Sequence, residues 1–440
     1  MIELYFDTDN TQLPPLSDSL IPVHLYGSPA QNGQYASIGR PLLNEIKRIK
    51  EDLDETALDF LTIAMAITAA DTFVERNKQA EDGWCREFKL SIPLINPNLW
   101  LPQIELLKEI MHFLSGDLWH FQFRTGSFVW PDKIKRGRKI PLAGHDSACL
   151  FSGGLDSAIG IIDLTSKNIN PVLISHAYAR DKSKQDNLYN LLGLKNSKFQ
   201  VIAYPRKAGD IPTDVQMRTR SFNFIAFGAL ISTAISQHHQ AGKVTTLYVP
   251  ENGLISINPP LTPRRIGSLS TRTTHPHYMN LLNELFKRVH LPVFLENPYQ
   301  FMTKGEMMQN CSNKIVLKQI AKDTVSCGKW KRTGIQCGKC VPCIIRRASF
   351  NSAAIPDQTV DYVYKHLDLV IKDPDNRDDL MSMILAIRKL KKVRNPKIWI
   401  SKSGALPTDL HVRNQILDTV VRGFKEVEDY LKSQSLGVNI

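Results

Sequence analysis

The chain has 440 residues, 42% hydrophobic and 22% charged, with 55 Lys and Arg against 43 Asp and Glu for a net charge of +12. That length suits two or three domains of roughly 100–200 residues and buries a core without disulfide staples, while the composition excludes wholesale disorder. No run approaches the ~18 apolar residues of a membrane span, and the stretch from Met1 to Asp7 lacks a basic and then apolar leader, so a cytoplasmic protein with no membrane partner is expected. The surplus of positive charge allows a polyanionic partner, nucleic acid included, without requiring one. Of seven cysteines, four lie between residues 327 and 343, which in a reducing compartment suggests metal rather than disulfides.

Residues 1–144 read as an α/β unit. Ile2–Phe6, Phe88–Ile95 and Leu118–Phe123 have strand character, and Leu58–Arg76 and Leu101–Leu114 carry apolar residues at helical spacing. This part holds no Gly-rich phosphate loop and no metal-ligand cluster. The basic, Gly-broken run Lys133–Lys139 reads as a solvated linker. From Ala148 strands and helices alternate: strands at Ala148–Phe151, Pro171–Ser175, Phe199–Tyr204 and Val244–Pro250, helices from Ala158, at Gln185–Leu192 and at Arg218–Gln237. Such alternation implies right-handed crossovers and a parallel sheet covered on both faces. The expected class is therefore α/β, with a parallel-sheet core over residues 145–355. A helical region follows over 356–440, clearest at Asn376–Val393 and Pro407–Lys432, with a basic cluster from Arg388 to Lys397.

Ser152-Gly-Gly-Leu-Asp-Ser157 follows the first core strand and opens a helix, where open α/β sheets bind ligands. Gly153 and Gly154 permit a tight turn that presents backbone N–H groups, and these together with the helix N-terminus cradle an anion. Ser152 and Ser157 add hydroxyl donors; Asp156 can cap the helix or approach a magnesium ion. No G-x-x-x-x-G-K-[ST] occurs, so this is not a Walker A loop. Further along, Cys327, Cys337, Cys340 and Cys343 supply four thiolates, with Gly338 allowing the turn. Four sulfurs suit closed, structural zinc; an iron–sulfur cluster is the competing metal. Cys85, Cys149 and Cys311 are isolated and read as packing residues.

S-G-G-x-D-S in this setting resembles the PP-loop ATP pyrophosphatases, with their adenine nucleotide alpha hydrolase-like fold. Combined with Cys337-Gly-Lys-Cys-Val-Pro-Cys343 and the Arg346–Phe350 tail, it resembles the 7-cyano-7-deazaguanine synthase (QueC) family across roughly residues 145–355. Thr303-Lys-Gly-Glu306 resembles the family's T-K-x-E, and Arg220 with Asn223 its Arg-led helix. The resemblance implies ATP binding by Ser152, Gly153, Gly154, Leu155, Asp156, Ser157 and Arg220, and catalysis by Ser152, Asp156, Ser157 and Lys304. It also implies a C-terminal zinc knuckle and magnesium with ATP. The family adenylates 7-carboxy-7-deazaguanine and lets ammonia displace AMP on the way to a nitrile.

The departures bear on the substrate. Only Tyr178 of the family's Tyr-Gly-Gln remains, and the fourth strand leads into a long segment, Glu251 to Tyr278, rich in forked donors. It is expected to form a substrate loop with Tyr178, using Asn258, Arg264, Arg265, Arg272 and His275. Extended chains of this kind resemble the QueC-like components of Qat and type IV CBASS antiphage operons. That implies adenylation of a deazaguanine-type acid and transfer of its acyl group to an amine, on a protein partner from the same operon. Two alternatives stay open: a biosynthetic nitrile synthase using ammonia, and a PP-loop tRNA thiolase, which usually carries Lys where Leu155 stands.

Overall fold

The computed structural model describes the chain except residues 50, 81–83, 129–138, 177–178, 196, 202–203, 208–210, 212, 215–216, 240–242, 262–271, 331–333, 360–361 and 439–440. Among the described residues, ten strands form two all-parallel sheets. In the first, β1 (Ile2–Asp7), β2 (Leu20–Leu25), β3 (Ala36–Ile38), β4 (Glu87–Leu94) and β5 (Leu118–Thr125) lie in the order β3-β2-β1-β4-β5. In the second, β6 (Ser147–Leu150), β7 (Pro171–His176), β8 (Lys198–Val201), β9 (Thr245–Tyr248) and β10 (Val293–Glu296) lie in the order β10-β9-β6-β7-β8. Counted from its own first strand, each sheet reads 3-2-1-4-5. Strands β2, β3 and β10 escape the sequence pattern because they are short or, in β2, contain Pro22.

The helices that matter below are α1 (Glu55–Phe73), α2 (Ile104–Ser115), α3 (Leu155–Ser166), α4 (Ala179–Leu191), α5 (Arg220–His239), α6 (Gly253–Ile257), α7 (Pro276–Arg288), α8 (Lys304–Asn310), α9 (Val341–Ser352), α10 (Asp378–Lys392) and α11 (Leu410–Lys432). Asp54 starts α1 by accepting the Ala57 N–H at 3.0 Å. Every residue of α1 from Ala57 to Phe73 is buried, so the helix has no polar face to give to solvent. By length and hydropathy it could cross a membrane, yet 94% of that window is covered by the fold. It packs between β4 and α5, and one continuous apolar cluster runs from β1 through α1 and α5 into β6–β10.

A buried ion network fastens the same seam. Asp71, Arg86 and Asp117 are fully buried, and Arg76 nearly so. Arg86 pairs with Asp71 and, at 2.9 Å, with Asp117; Arg76 forks onto Asp117 at 2.6 and 2.8 Å. The second oxygen of Asp71 accepts the N–H of Arg218 (2.7 Å) and the N–H and hydroxyl of Thr219 (both 2.9 Å), immediately before α5. An aspartate of the first unit thus satisfies the orphan donors at the start of a helix in the second.

The C-terminal helices have a core of their own, shared with α6 and α9. Through it α11 braces the turn before α8. Glu426 accepts the Thr303 hydroxyl and the Gly305 N–H, and Arg422 pairs with Glu306 at 2.7 Å.

Candidate active site and metal centre

β6 is buried at all four residues, and the Phe151 N–H extends its ladder to Ile174 O at 2.7 Å. The chain then turns through Gly153, whose φ of +81° is open to glycine and strained for other residues. A Cβ here would press on the Gln185 side chain at 3.2 Å, and one on Gly154 would meet Val325 O at 3.3 Å. The loop is laced internally: the Gly154 N–H approaches Ser152 Oγ at 3.3 Å, Ser152 Oγ approaches Ser157 Oγ at 3.3 Å, and Ser157 Oγ donates to Gly154 O at 3.0 Å. Gln185 of α4, itself buried, donates to Ser152 O at 3.3 Å.

Asp156 lies in the first turn of α3 without capping it; Gly154 occupies the cap with no side-chain bond. Its carboxylate is instead the hub of a buried cluster. Lys304 Nζ stands 2.5 Å from Oδ1, while Asn252 reaches Oδ2 with its backbone N–H (3.0 Å) and its Nδ2 (2.7 Å). Lys304 is held there by a capping box in which Thr303 and Glu306 exchange hydrogen bonds at the start of α8. Glu251, half-buried, also faces Asp156; its backbone is clamped on both sides by Asn297. Burial works against charge on Asp156, but the Lys304 ammonium, a hydrogen bond from Glu251 and the Asn252 donors outweigh it and hold its pKa at about 2. Burial and the facing Asp156 charge push Glu251 well above the usual carboxylate range.

These groups meet in a cleft of about 190 Å³ lined by Ser152, Gly154, Leu155, Asp156, Ser157, Pro250, Glu251, Ile255, Lys304, Val325, Ser326 and Pro342. It sits beyond the C-terminal ends of β6 and β9, the point where the strand order reverses and where α/β sheets bind ligands. The loop and Lys304 stand out in the sequence; Glu251, Asn252 and Val325–Ser326 do not. The available signal for the first two was Pro-Glu-Asn directly after the fourth strand of the core.

Other candidate residues sit elsewhere. Arg220 donates to His176 O (3.2 Å) and pairs with Asp181 (3.1 Å), outside the cleft lining. Asn258 ends α6 in a left-handed conformation, and Arg272 donates to Phe113 O at 3.1 Å while lying over that ring. His275 is buried at the start of α7, where its Nδ1 accepts the His277 N–H at 3.2 Å. None of these three lines the cleft. Tyr178, Arg264 and Arg265 lie outside the described residues, as does nearly all of the 133–139 linker.

The four cysteines form a closed centre. Their sulfurs lie within 4.8 Å of one another, with Cys337–Cys343 and Cys327–Cys340 each 3.9 Å apart. A tetrahedron with metal–sulfur bonds of ~2.3 Å has edges of about 3.8 Å, so the set fits one zinc ion. Backbone N–H groups of Lys329, Cys337 and Cys340 point at the sulfurs at 3.3 Å, which suits thiolates rather than thiols. Gly338, at φ +80°, makes the turn; a Cβ would strike Tyr364 O at 2.6 Å. The buried Arg346 then ties α9 to Thr324 Oγ1 at 2.7 Å, and the Val325 N–H donates to Gly153 O at 3.0 Å. The cysteine cluster and the glycine loop are therefore linked through two hydrogen bonds along the chain's own framework.

Residues 274–354 match the family model described as Queuosine biosynthesis protein QueC, a span that contains Lys304, all four cysteines and Arg346. The match supports a QueC-like resemblance, and with it an ATP-using enzyme of the PP-loop type. The glycine loop at 152–157 lies before the matched span. No curated protein matches the chain.

Proposed function

We propose that the chain is an ATP-dependent, AMP-forming ligase that adenylates a carboxylate of the 7-carboxy-7-deazaguanine type and passes the acyl group to an amine, with a protein amine as acceptor. In the first step a carboxylate oxygen bonds to the α-phosphorus as the bond to pyrophosphate breaks. In the second an amine nitrogen bonds to the carbonyl carbon, AMP leaves, and the nitrogen gives up a proton. Both steps need a receptacle for leaving-group charge, and the Gly153–Gly154 turn with the α3 N-terminus offers preorganised N–H donors. Lys304, buried beside Asp156, brings the cation that a Walker lysine would bring elsewhere, and magnesium travels with the nucleotide.

The observation that carries this reading is the convergence of Ser152–Ser157 and Lys304 on one cleft at the switch point of the second sheet. The closed Cys₄ centre supports zinc and weighs against a thiolase built on an exposed cluster. Incubating the pure protein with ATP, magnesium and the deazaguanine acid, with and without a co-purifying protein, and reading intact masses tests it. The expected result is AMP, pyrophosphate and a mass increase on the partner. Free nitrile as sole product would establish the biosynthetic alternative, and absence of ATP–pyrophosphate exchange would remove the ligase altogether.

A further inference from the structure

The nucleotide cleft leaves a long basic stretch of the described residues without a use. Between Ile384 and Lys402 stand seven Lys and Arg and no Asp or Glu. Lys389, Lys391, Lys392, Arg394, Lys397 and Lys402 are exposed. A helix C-terminus attracts cations, which accounts for Lys389, Lys391 and Lys392 in the last turn of α10. It does not account for Arg394, Lys397 and Lys402, which lie beyond the helix end.

The chain folds back on itself here instead of spreading its charges apart. A short helix at Pro396–Ile400 buries Trp399, whose Nε1 donates to Pro260 O at 3.2 Å. Lys389 Nζ rests over the Trp399 ring at 5.5 Å, and Lys397 Nζ donates to Asn414 Oδ1 of α11 at 2.7 Å. The end of α10, the short helix and the start of α11 thus form one surface. Both of those partners are neutral, so they orient the ammonium groups and leave the charge in place. Lys391 differs, being paired with Glu428 at 2.7 Å. Gathering like charges costs free energy, which an anionic partner returns by releasing its own counterions.

We infer that this surface docks the phosphodiester backbone of a nucleic acid, independently of the nucleotide cleft. An acidic protein segment would share the charge complementarity, but protein interfaces centre on apolar and aromatic anchors. Here the aromatic ring is hidden beneath Lys389, and single exposed aliphatic side chains such as Ile398 are ordinary surface features. What remains is an array of point charges, which reads phosphate rather than base edges, so binding is indifferent to sequence.

The test is fluorescence anisotropy of a labelled 20-nucleotide poly(U) RNA with the full chain between 50 and 200 mM KCl. Engagement of four phosphates predicts a log–log salt slope of about −3. Replacing Lys392, Arg394, Lys397 and Lys402 together by Glu should weaken binding at least tenfold and flatten the slope, with ATP–pyrophosphate exchange unchanged. The same four positions changed to Gln provide a milder variant, expected to lose at least fivefold, should the charge reversal impair folding. Wild-type affinity in the Gln variant would overturn the inference. So would tighter binding of polyglutamate than of poly(U) at equal salt, which would assign the surface to an acidic protein.

Discussion

The two sheets share a strand order and differ in what they do with it. Each has its first strand at the centre, so each has a switch point between its first and fourth strands. In the first sheet that gap is closed by the protein itself. Arg124 reaches from β5 past β4 to Phe6 O and to Asp7 at 2.7 Å, lying over the Tyr5 ring, and Asp59 accepts the N–H groups of Ile95 (2.7 Å) and Asn96 (2.9 Å). Asp9, after β1, turns its carboxylate onto its own Thr11 N–H at 2.9 Å. In the second sheet the equivalent residues are two glycines and a Pro-Glu-Asn turn, and a cleft remains. Topology supplies a place for a ligand; the residues after strands one and four decide whether it stays open.

The strongest way to break the contrast lies at the cysteine cluster of the second unit, which has no counterpart among the described residues of the first. The purified protein should carry one zinc per chain by elemental analysis. Stripping it should abolish ATP–pyrophosphate exchange, restored by zinc, while hydrogen exchange in β1–β5 stays protected. Structural zinc contributes of order 10 kcal/mol in isolated fingers, and here the cysteine cluster that would hold it adjoins the segment that bonds Gly153. Full exchange in metal-free protein would uncouple knuckle from loop. Next in size is the seam between the sheets. Asp71→Ala leaves Arg86 buried beside one carboxylate fewer and frees the donors before α5, so denaturant unfolding should show a loss of about 3–5 kcal/mol.

Changing one residue at each switch point sharpens the comparison directly. Lys304→Ala should lower the exchange rate by ~10²–10³-fold, the usual cost of losing one preorganised group that faces developing charge. Arg124→Ala should leave exchange intact and lower stability by about 1–2 kcal/mol through its lost bonds to Phe6 and Asp7. Equal effects on exchange would mean that the closed crevice also takes part in the chemistry.

Legibility in the sequence followed the strength of local patterning. Ser152–Ser157 and the four cysteines could be named because turn glycines and ligand spacing are short-range signals, and Lys304 because Thr303-Lys-Gly-Glu306 resembles a known family motif. The core strands β6 to β9 were visible as apolar runs, and α1 and α11 as long helices. The matching order of the two sheets was not, because β3 and β10 are brief, β2 carries Pro22, and pairing is a long-range property. Glu251 and Asn252 were passed over for a related reason: their meeting with Asp156 spans some 95 residues and leaves no periodic trace. Arg272 and His275 stand out by donor-rich composition, and the fold turns both inward against Phe113.

His275 gives an effect as modest as that of Arg124, and the one with a definite sign. Burial, reinforced by Arg272 and His277, pushes its pKa from 6.5 down to about 3, so it stays neutral in the folded chain across ordinary pH. Once unfolded it takes up a proton below pH 6.5. Its contribution is therefore complete above that value and drains away as pH falls toward 3, at up to about 1.4 kcal/mol per pH unit. At pH 5 the loss relative to pH 7.5 should be about 2 kcal/mol. Chemical unfolding of wild type and His275→Gln at both pH values isolates this part from every other titrating group. The variant should lose less stability on acidification by that amount. Parallel losses would mean that the imidazole is already reached by water, and that the seam between Phe113 and α7 opens more readily than its packing suggests.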